Sequence, residues 1–154
     1  LAPRNDQDDL YEVYATNEDY WRYSGDLDPD NLTRLAVTAA LAELAEEEEA
    51  LVARDGGGRI IGYVQILPRH PKDGHPWIGL LLIHGRYRRH GHGRAIASAV
   101  EQRFRDAGED AVRLGVLANN YEAQQFWIKL GYHQIDLRPD LAKGRATLVF
   151  EKRL

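Results

Sequence analysis

Apolar residues recur at helical spacing in four stretches of this chain and in alternating or unbroken runs in six others. Residues 6–23 set Leu10, Val13, Tyr14 and Trp21 on one face, which predicts a first helix. Asp28-Pro29 offers an N-cap followed by proline at the first helical position, so a second helix is predicted through Leu32, Leu35, Ala36, Ala39 and Leu44 to about Glu46. Ala50–Arg54 and Arg59–Leu67 read as strands joined by Asp55-Gly56-Gly57-Gly58, a sequence suited to a tight hairpin. Pro68–Pro76 reads as a polar turn. Trp77–Ile83 is continuously apolar, as a strand buried on both faces requires. Arg94–Ala107 aligns Ile96, Ala99, Val100, Phe104 and Ala107 as a helix face, with Gly108 as a left-handed cap. Val112–Leu117 reads as a strand. Tyr121–Leu130 reads as a helix with Ala123, Phe126, Trp127 and Leu130 inward, ended by Gly131. Tyr132–Arg138 and Arg145–Glu151 close the chain as strands around Pro139-Asp140. This mixture predicts an α/β (α+β) sandwich, with helices covering both faces of one mixed sheet.

Length and composition narrow the function. At 154 residues the chain is expected to form a single domain over residues 1–154. It contains no cysteine, which excludes a disulfide framework, a thiolate zinc site and a cysteine nucleophile. It contains no methionine, so it is expected to lack its natural start. No apolar run reaches the roughly 18 residues of a membrane span and no signal peptide is visible, so a cytoplasmic protein is expected. The net charge of −4 hides a division. Residues 1–50 carry 14 acids and 3 bases, and residues 51–154 carry 10 acids and 17 bases. Such a division speaks to partners more than to fold.

The chemistry concentrates in His84-Gly85-Arg86-Tyr87-Arg88-Arg89-His90-Gly91-His92-Gly93-Arg94, which holds four arginines, three histidines and three glycines between a strand and a helix. Glycines let backbone N–H groups converge on a ligand, and the following helix adds unpaired N–H groups and the positive end of its dipole. A phosphate or pyrophosphate fits that description. A P-loop is excluded because Gly93 precedes Arg94-Ala95 rather than Lys-Ser/Thr. A dinucleotide fingerprint is excluded because Ile96 stands where the third glycine belongs. Taken alone, the loop reads equally well as a basic helix cap.

The neighbouring residues tip the balance. Arg88-x-x-Gly91-x-Gly93, preceded by Tyr87 and by the strand Leu80-Leu81-Leu82-Ile83, resembles the acyl-CoA pyrophosphate loop of the GNAT superfamily of acetyltransferases. About 25 residues on, Asn120-x-x-Ala123-x-x-Phe126-Trp127-x-x-Leu130-Gly131-Tyr132 resembles a second segment of that family. The resemblance is specific over about residues 50–135. It implies a mixed, mostly antiparallel sheet in which two parallel strands, Trp77–Ile83 and Val112–Leu117, splay to admit acetyl-CoA. It implies that Leu81, Leu82 and Ile83 pair with the pantetheine arm. Arg88, Arg89, His90, Gly91, His92, Gly93 and Arg94 would surround the pyrophosphate. Asn120 would bond the pantetheine, with Phe126 and Trp127 beside it. The backbone amide near Leu82 would polarise the thioester carbonyl. Leu1–Arg4 would be the end of the family's first strand.

The acceptor implied is a primary amine of a small molecule or peptide. Neutralising a lysine-like amine near pH 7 costs roughly 4–5 kcal/mol, so a base is wanted. Three familiar catalytic positions of the family hold Gly79, Gly115 and Trp127 here. The remaining acid–base candidates are His70, Asp73 and His75, or Tyr11, Tyr14 and Tyr23. Proximity alone can also remove several kcal/mol of barrier. Tyr11, Tyr14, Tyr20, Trp21 and Tyr23, with Asp26, Asp28 and Asp30, would suit a cationic acceptor. The alternative is a non-catalytic protein that binds acyl-CoA or nucleic acid through loop 84–94. Basic residues confined to one loop disfavour nucleic acid. No metal site is expected, since no metal-ligand spacing occurs. Monomer and homodimer both remain open.

Overall fold

The computed structural model describes residues 5–140 and 145–154, so the expected strand end at Leu1–Arg4 lies outside the described residues. Six strands form one sheet: β1 (Glu49–Arg54), β2 (Ile60–Leu67), β3 (Trp77–Ile83), β4 (Ala111–Leu117), β5 (His133–Asp140) and β6 (Arg145–Arg153). Their order is β1-β2-β3-β4-β6-β5. Only β3 and β4 run parallel, and the other four pairings are antiparallel. The mixed, mostly antiparallel sheet is the predicted one. Among the described residues no helix is long and apolar enough to cross a membrane.

Two apolar clusters sandwich the sheet. On one face α4 (His92–Asp106) and α5 (Tyr121–Lys129) bring Val100, Phe104 and Trp127 against Ile66, Ile78, Val112 and Leu114. On the other, α1 (Asp6–Ala15), α2 (Glu18–Ser24) and α3 (Arg34–Ala42) bring Val13, Tyr14, Trp21 and Val37 against Ile60, Tyr63 and Leu82. Buried Asp9 fixes α1 to β2 by accepting from the Ile60 amide at 3.0 Å. Glu101 of α4 is buried too, and accepts from the Tyr132 hydroxyl and Lys152 Nζ, each at 2.9 Å. Burial, chiefly, pushes the Tyr132 phenol far up, so it donates as a neutral group.

The strand β3 changes face partway along. Ile66 lies opposite Ile78 and Gln65 opposite Leu80, which leaves Gly79 as an extra residue. A bulge of this kind re-aims the side chains that follow. Ile78 and Leu81 therefore pack toward α4 and α5, whereas Leu80 and Leu82 pack toward α1–α3.

Two helix expectations fail, each for a local reason. The single helix predicted over 6–23 is two, broken at Thr16-Asn17. There the Thr16 hydroxyl folds back onto Glu12 O at 2.6 Å and Asn17 Nδ2 donates to Val13 O at 2.6 Å. Side chains that bond the backbone this way compete with the helix. Asp28-Pro29 does not start the next helix. Asp28 instead accepts from the Asp30 amide at 2.9 Å in a turn, and Thr33 caps α3 by accepting from the Ala36 amide at 3.1 Å. That helix ends at Ala42 rather than near Glu46. Helix α4 begins two residues earlier than predicted, at His92, because Gly91 takes the left-handed N-cap conformation.

The Thr33 cap can be tested against the sequence signal it overrode. Thr33→Ala is expected to lower unfolding stability by about 1 kcal/mol, and Asp28→Ala to change it by no more than about 0.5 kcal/mol. Urea titrations of both variants decide it. The reverse order would restore the helix start to Asp28.

Candidate functional site

Parallel strands hold together only through an evenly spaced ladder. Here β3 and β4 pair at Trp77 with Arg113 and Ile78 with Leu114, and no further. Beyond Ile78 they part, and a cleft of about 510 Å³ opens between Gly79–Ile83 and Gly115–Leu117. Backbone parity decides which groups of β3 face it. The His84 amide donates to Ile61 O at 2.8 Å, and Leu82 lies opposite Tyr63. The peptide groups of Leu82 and His84 thus point into the β2 ladder, and those of Leu81 and Ile83 point away from it. This corrects the expectation placed on Leu82: its amide is turned to β2, and the Leu81 and Ile83 amides face the cleft.

The glycine- and arginine-rich segment closes one end of the cleft. A 3₁₀ turn (Gly85–Tyr87) leads to Arg89, the one non-glycine residue among those described with positive φ, at 62°. Gly91 follows at φ 81° and begins α4 with no side-chain cap. The first-turn amides of His92, Gly93 and Arg94 have no partner inside the helix, as at any helix start. A Cβ on Gly93 would lie 3.2 Å from the Phe126 ring, so glycine there lets the start of α4 close on α5. Arg89, His90 and Arg94 are exposed, and none forms an ion pair among the described residues. Arg88 differs. Its Nη2 donates to Thr16 O at 3.0 Å and to Asn17 Oδ1 at 2.6 Å.

The far wall comes from α5. Asn120 Oδ1 accepts from the Ala123 amide at 3.2 Å and so caps that helix. Its Nδ2 bonds nothing among the described residues, and Asn120 lines the cleft. Trp127 is buried, edge-on to Phe126 at 4.8 Å and to Tyr132 at 5.1 Å. Packing, not proton transfer, is what this setting supports.

The corner that leads into α2 also borders the cleft, through Asn17 beside Arg88 and then Asp19, Tyr20 and Tyr23. Burial, chiefly, pushes the Tyr20 phenol up to about 12, with Asp26 adding and Arg145 opposing. Tyr11 is elsewhere, with its hydroxyl on Leu32 O at 3.0 Å. Tyr14 is core, stacked on Trp21 at 5.3 Å. His70, Asp73 and His75 do not line the cleft either. Asp73 accepts from the Trp77 indole at 3.0 Å, from the His75 amide at 2.8 Å and from Arg113 at 3.3 Å, beyond the end of β3 that remains paired. Burial pushes that carboxyl up, but these donors outweigh it and hold it below its ordinary value. Of the two empty strand positions, Gly79 has room for a side chain, its nearest neighbour being Gln65 O at 3.6 Å. Gly115 has none, since a Cβ there would sit 2.9 Å from Thr147 Cγ2. Among the described residues no group of His, Asp and Glu could hold a metal ion.

His84, the first residue of the basic segment, is buried at the base of the loop, 3% exposed, which its sequence context did not signal. Its Nδ1 accepts from the Arg86 amide at 3.1 Å. Its Nε2 lies 3.3 Å from Glu12 Oε2 and 3.4 Å from Arg59 Nη2, and Glu12 pairs with Arg59. Burial first, then Arg59 and Arg86, hold the His84 pKa below its ordinary value against the pull of Glu12. A histidine kept neutral when folded stabilises the protein above its unfolded pKa of about 6.5, and that contribution is lost as pH falls through the folded value. The melting temperature should therefore drop more steeply below about pH 6.5 in the parent than in His84→Gln. Parallel profiles for the two would contradict it.

Comparisons with known proteins agree with this geometry. The sequence pattern of the acetyltransferase (GNAT) family matches residues 10–132. A 63-residue stretch is 41% identical to the mycothiol acetyltransferase of Kineococcus radiotolerans and covers 41% of this chain. The chain spans about a fifth of the length of that curated relative, 20%. An acetyltransferase from Thermus thermophilus superposes with a TM-score of 0.70 over 100% of this chain and 96% of its own, at 22% identity. A GCN5-related N-acetyltransferase from Kribbella flavida does so with a TM-score of 0.69 over 99% and 95%, at 20% identity. At such identities the likeness is one of fold. With the family pattern matched across most of its length, and with parted parallel strands ending in a glycine- and arginine-rich helix start, the chain belongs to the GNAT acetyltransferase family.

Proposed function

We propose that this chain is an N-acetyltransferase that moves an acetyl group directly from acetyl-CoA to a primary amine of a small molecule or peptide. One observation carries the reading. The outward-facing peptide groups of Leu81 and Ile83, the first-turn amides of Gly93 and Arg94, and the side chains of Arg89 and Arg94, which form no ion pair among the described residues, all border one cleft. An extended pantetheine amide complements the strand edge as an added strand would. A pyrophosphate complements the helix start, with Arg89 and Arg94 beside it.

In this reading the amine nitrogen attacks the thioester carbonyl carbon. A C–N bond forms and the C–S bond breaks; the amine's proton passes to solvent water in the open cleft, the leaving CoA thiolate takes a proton from Tyr20, and solvent restores the phenol. The carbonyl oxygen gains charge in the transition state, and the Leu81 amide is the donor proposed to meet it, worth about 3 kcal/mol by analogy with other single donors. The chain has no cysteine to carry an acyl group, so transfer is direct. Tyr20 is the phenol proposed to return a proton to the thiolate, since burial keeps it protonated at neutral pH. Asp19 supplies an anion at the acceptor end, which suits a cationic amine.

Thiol release across polyamines, aminoglycosides, amino acids and peptide N-termini tests the activity. Release with at least one amine is expected, as is a rise in melting temperature with acetyl-CoA. Stabilisation by acetyl-CoA without release on any amine would leave a binding protein and overturn the transferase reading. With the best acceptor, Tyr20→Phe should lower kcat on the order of 100-fold. Trp127→Phe should leave kcat within a few-fold. A large kcat loss in Trp127→Phe with unchanged acetyl-CoA affinity would return a chemical role to the indole.

A further inference from the structure

The two-residue corner between α1 and α2, Thr16-Asn17, meets the loop before α4 through several polar contacts. Asn17 is 6% exposed and uses both ends of its side chain. Its Nδ2 donates to Val13 O at 2.6 Å and to Ile83 O at 2.9 Å. Its Oδ1 accepts from Arg88 Nη2 at 2.6 Å, and the same Nη2 reaches Thr16 O at 3.0 Å. The Thr16 hydroxyl accepts from the Gly85 amide at 2.9 Å. A Cβ on Gly85 would stand 3.0 Å from Thr16 Cβ, so the two backbones approach as closely as glycine allows.

These bonds join two sides of the cleft. Ile83, Gly85 and Arg88 belong to the end of β3 and the segment that leads into α4. Thr16 and Asn17 lead into α2, which presents Asp19, Tyr20 and Tyr23. We infer that Asn17 and Arg88 are positioning residues: they lock the α1–α2 corner onto the end of β3 and so fix the spacing between the cofactor end and the acceptor end of the cleft. Arg88 thus acts as an internal strut, and Arg89 and Arg94 are the arginines free to meet an anion. This inference rests on the proposed acetyl-CoA reading only for its kinetic consequence. Its structural part stands without that reading.

Asn17→Ala, Arg88→Ala and the double variant test it. Hydrogen exchange on the ligand-free proteins is the first readout. Either alanine variant should speed exchange in both segments, residues 16–24 and 84–94. Faster exchange confined to 16–24 would reduce Asn17 to a helix-corner residue and overturn the clamp. The second readout is acetyl-CoA affinity. Each single alanine variant should weaken it about tenfold, and the double variant also about tenfold, because the two act as one unit. A loss of about 100-fold in the double would show independent roles and overturn the inference. If the parent fails to bind acetyl-CoA, the proposed function fails, while the exchange result still decides the clamp.

Discussion

The site exists because two parallel strands abandon their ladder after two residue pairs. A buried peptide group without a partner costs about 1–3 kcal/mol, so a sheet does not open at its centre without compensation. Three features make the opening tolerable here. The bulge at Gly79 shifts the alternation of β3, so that Leu80 and Leu82 reach the core under α1–α3. The Ile83 carbonyl finds Asn17 instead of β4. The remaining outward peptide groups of β3 face a water-accessible cleft, where a ligand with amides of its own can complete the ladder. In the proposed reading, the same omission that weakens the sheet supplies the recognition surface for the cofactor.

How much of this was legible in the sequence depends on how far away each partner lies. The strands were readable because alternation and apolar runs are local signals; Trp77–Ile83 and the Tyr121 helix start need no distant information. The glycine- and arginine-rich segment was readable from its own composition and from the helix that follows. The break at Asn17 was not, because the group that rewards it, Ile83 O, is 66 residues away. Arg88 looked like its neighbours for the same reason, its partner being 71 residues back. The Asp28-Pro29 signal was sound locally and lost to Thr33, whose helix packs Val37 into the core. The direction of the Leu82 amide follows from register, which no single-strand pattern contains.

The charge division of the sequence also changes meaning. Many acids of the first fifty residues are held by arginines of the folded sheet and helices: Asp6 by Arg54, Glu12 by Arg59, Asp26 by Arg145 and Glu49 by Arg103. Others pair within the helical segment, as Asp8 does with Arg34 and Asp30 with Arg22. The exposed pairs contribute little stability each. The excess is therefore a seam between the N-terminal helices and the rest more than a field aimed at a substrate. Asp19 is the acid of that region that reaches the cleft, which Arg89 and Arg94 also border.

The central claim is that acetyl-CoA completes the ladder that β3 leaves open and rests its pyrophosphate on the start of α4. Backbone amide shifts of ¹⁵N-labelled protein, followed by NMR during titration with acetyl-CoA, test this directly. The account predicts the largest changes at Leu81, Ile83 and His92–Arg94, with Leu82 nearly still. Changes clustered away from the cleft, or a response at Leu82 larger than at Leu81 and Ile83, would contradict it.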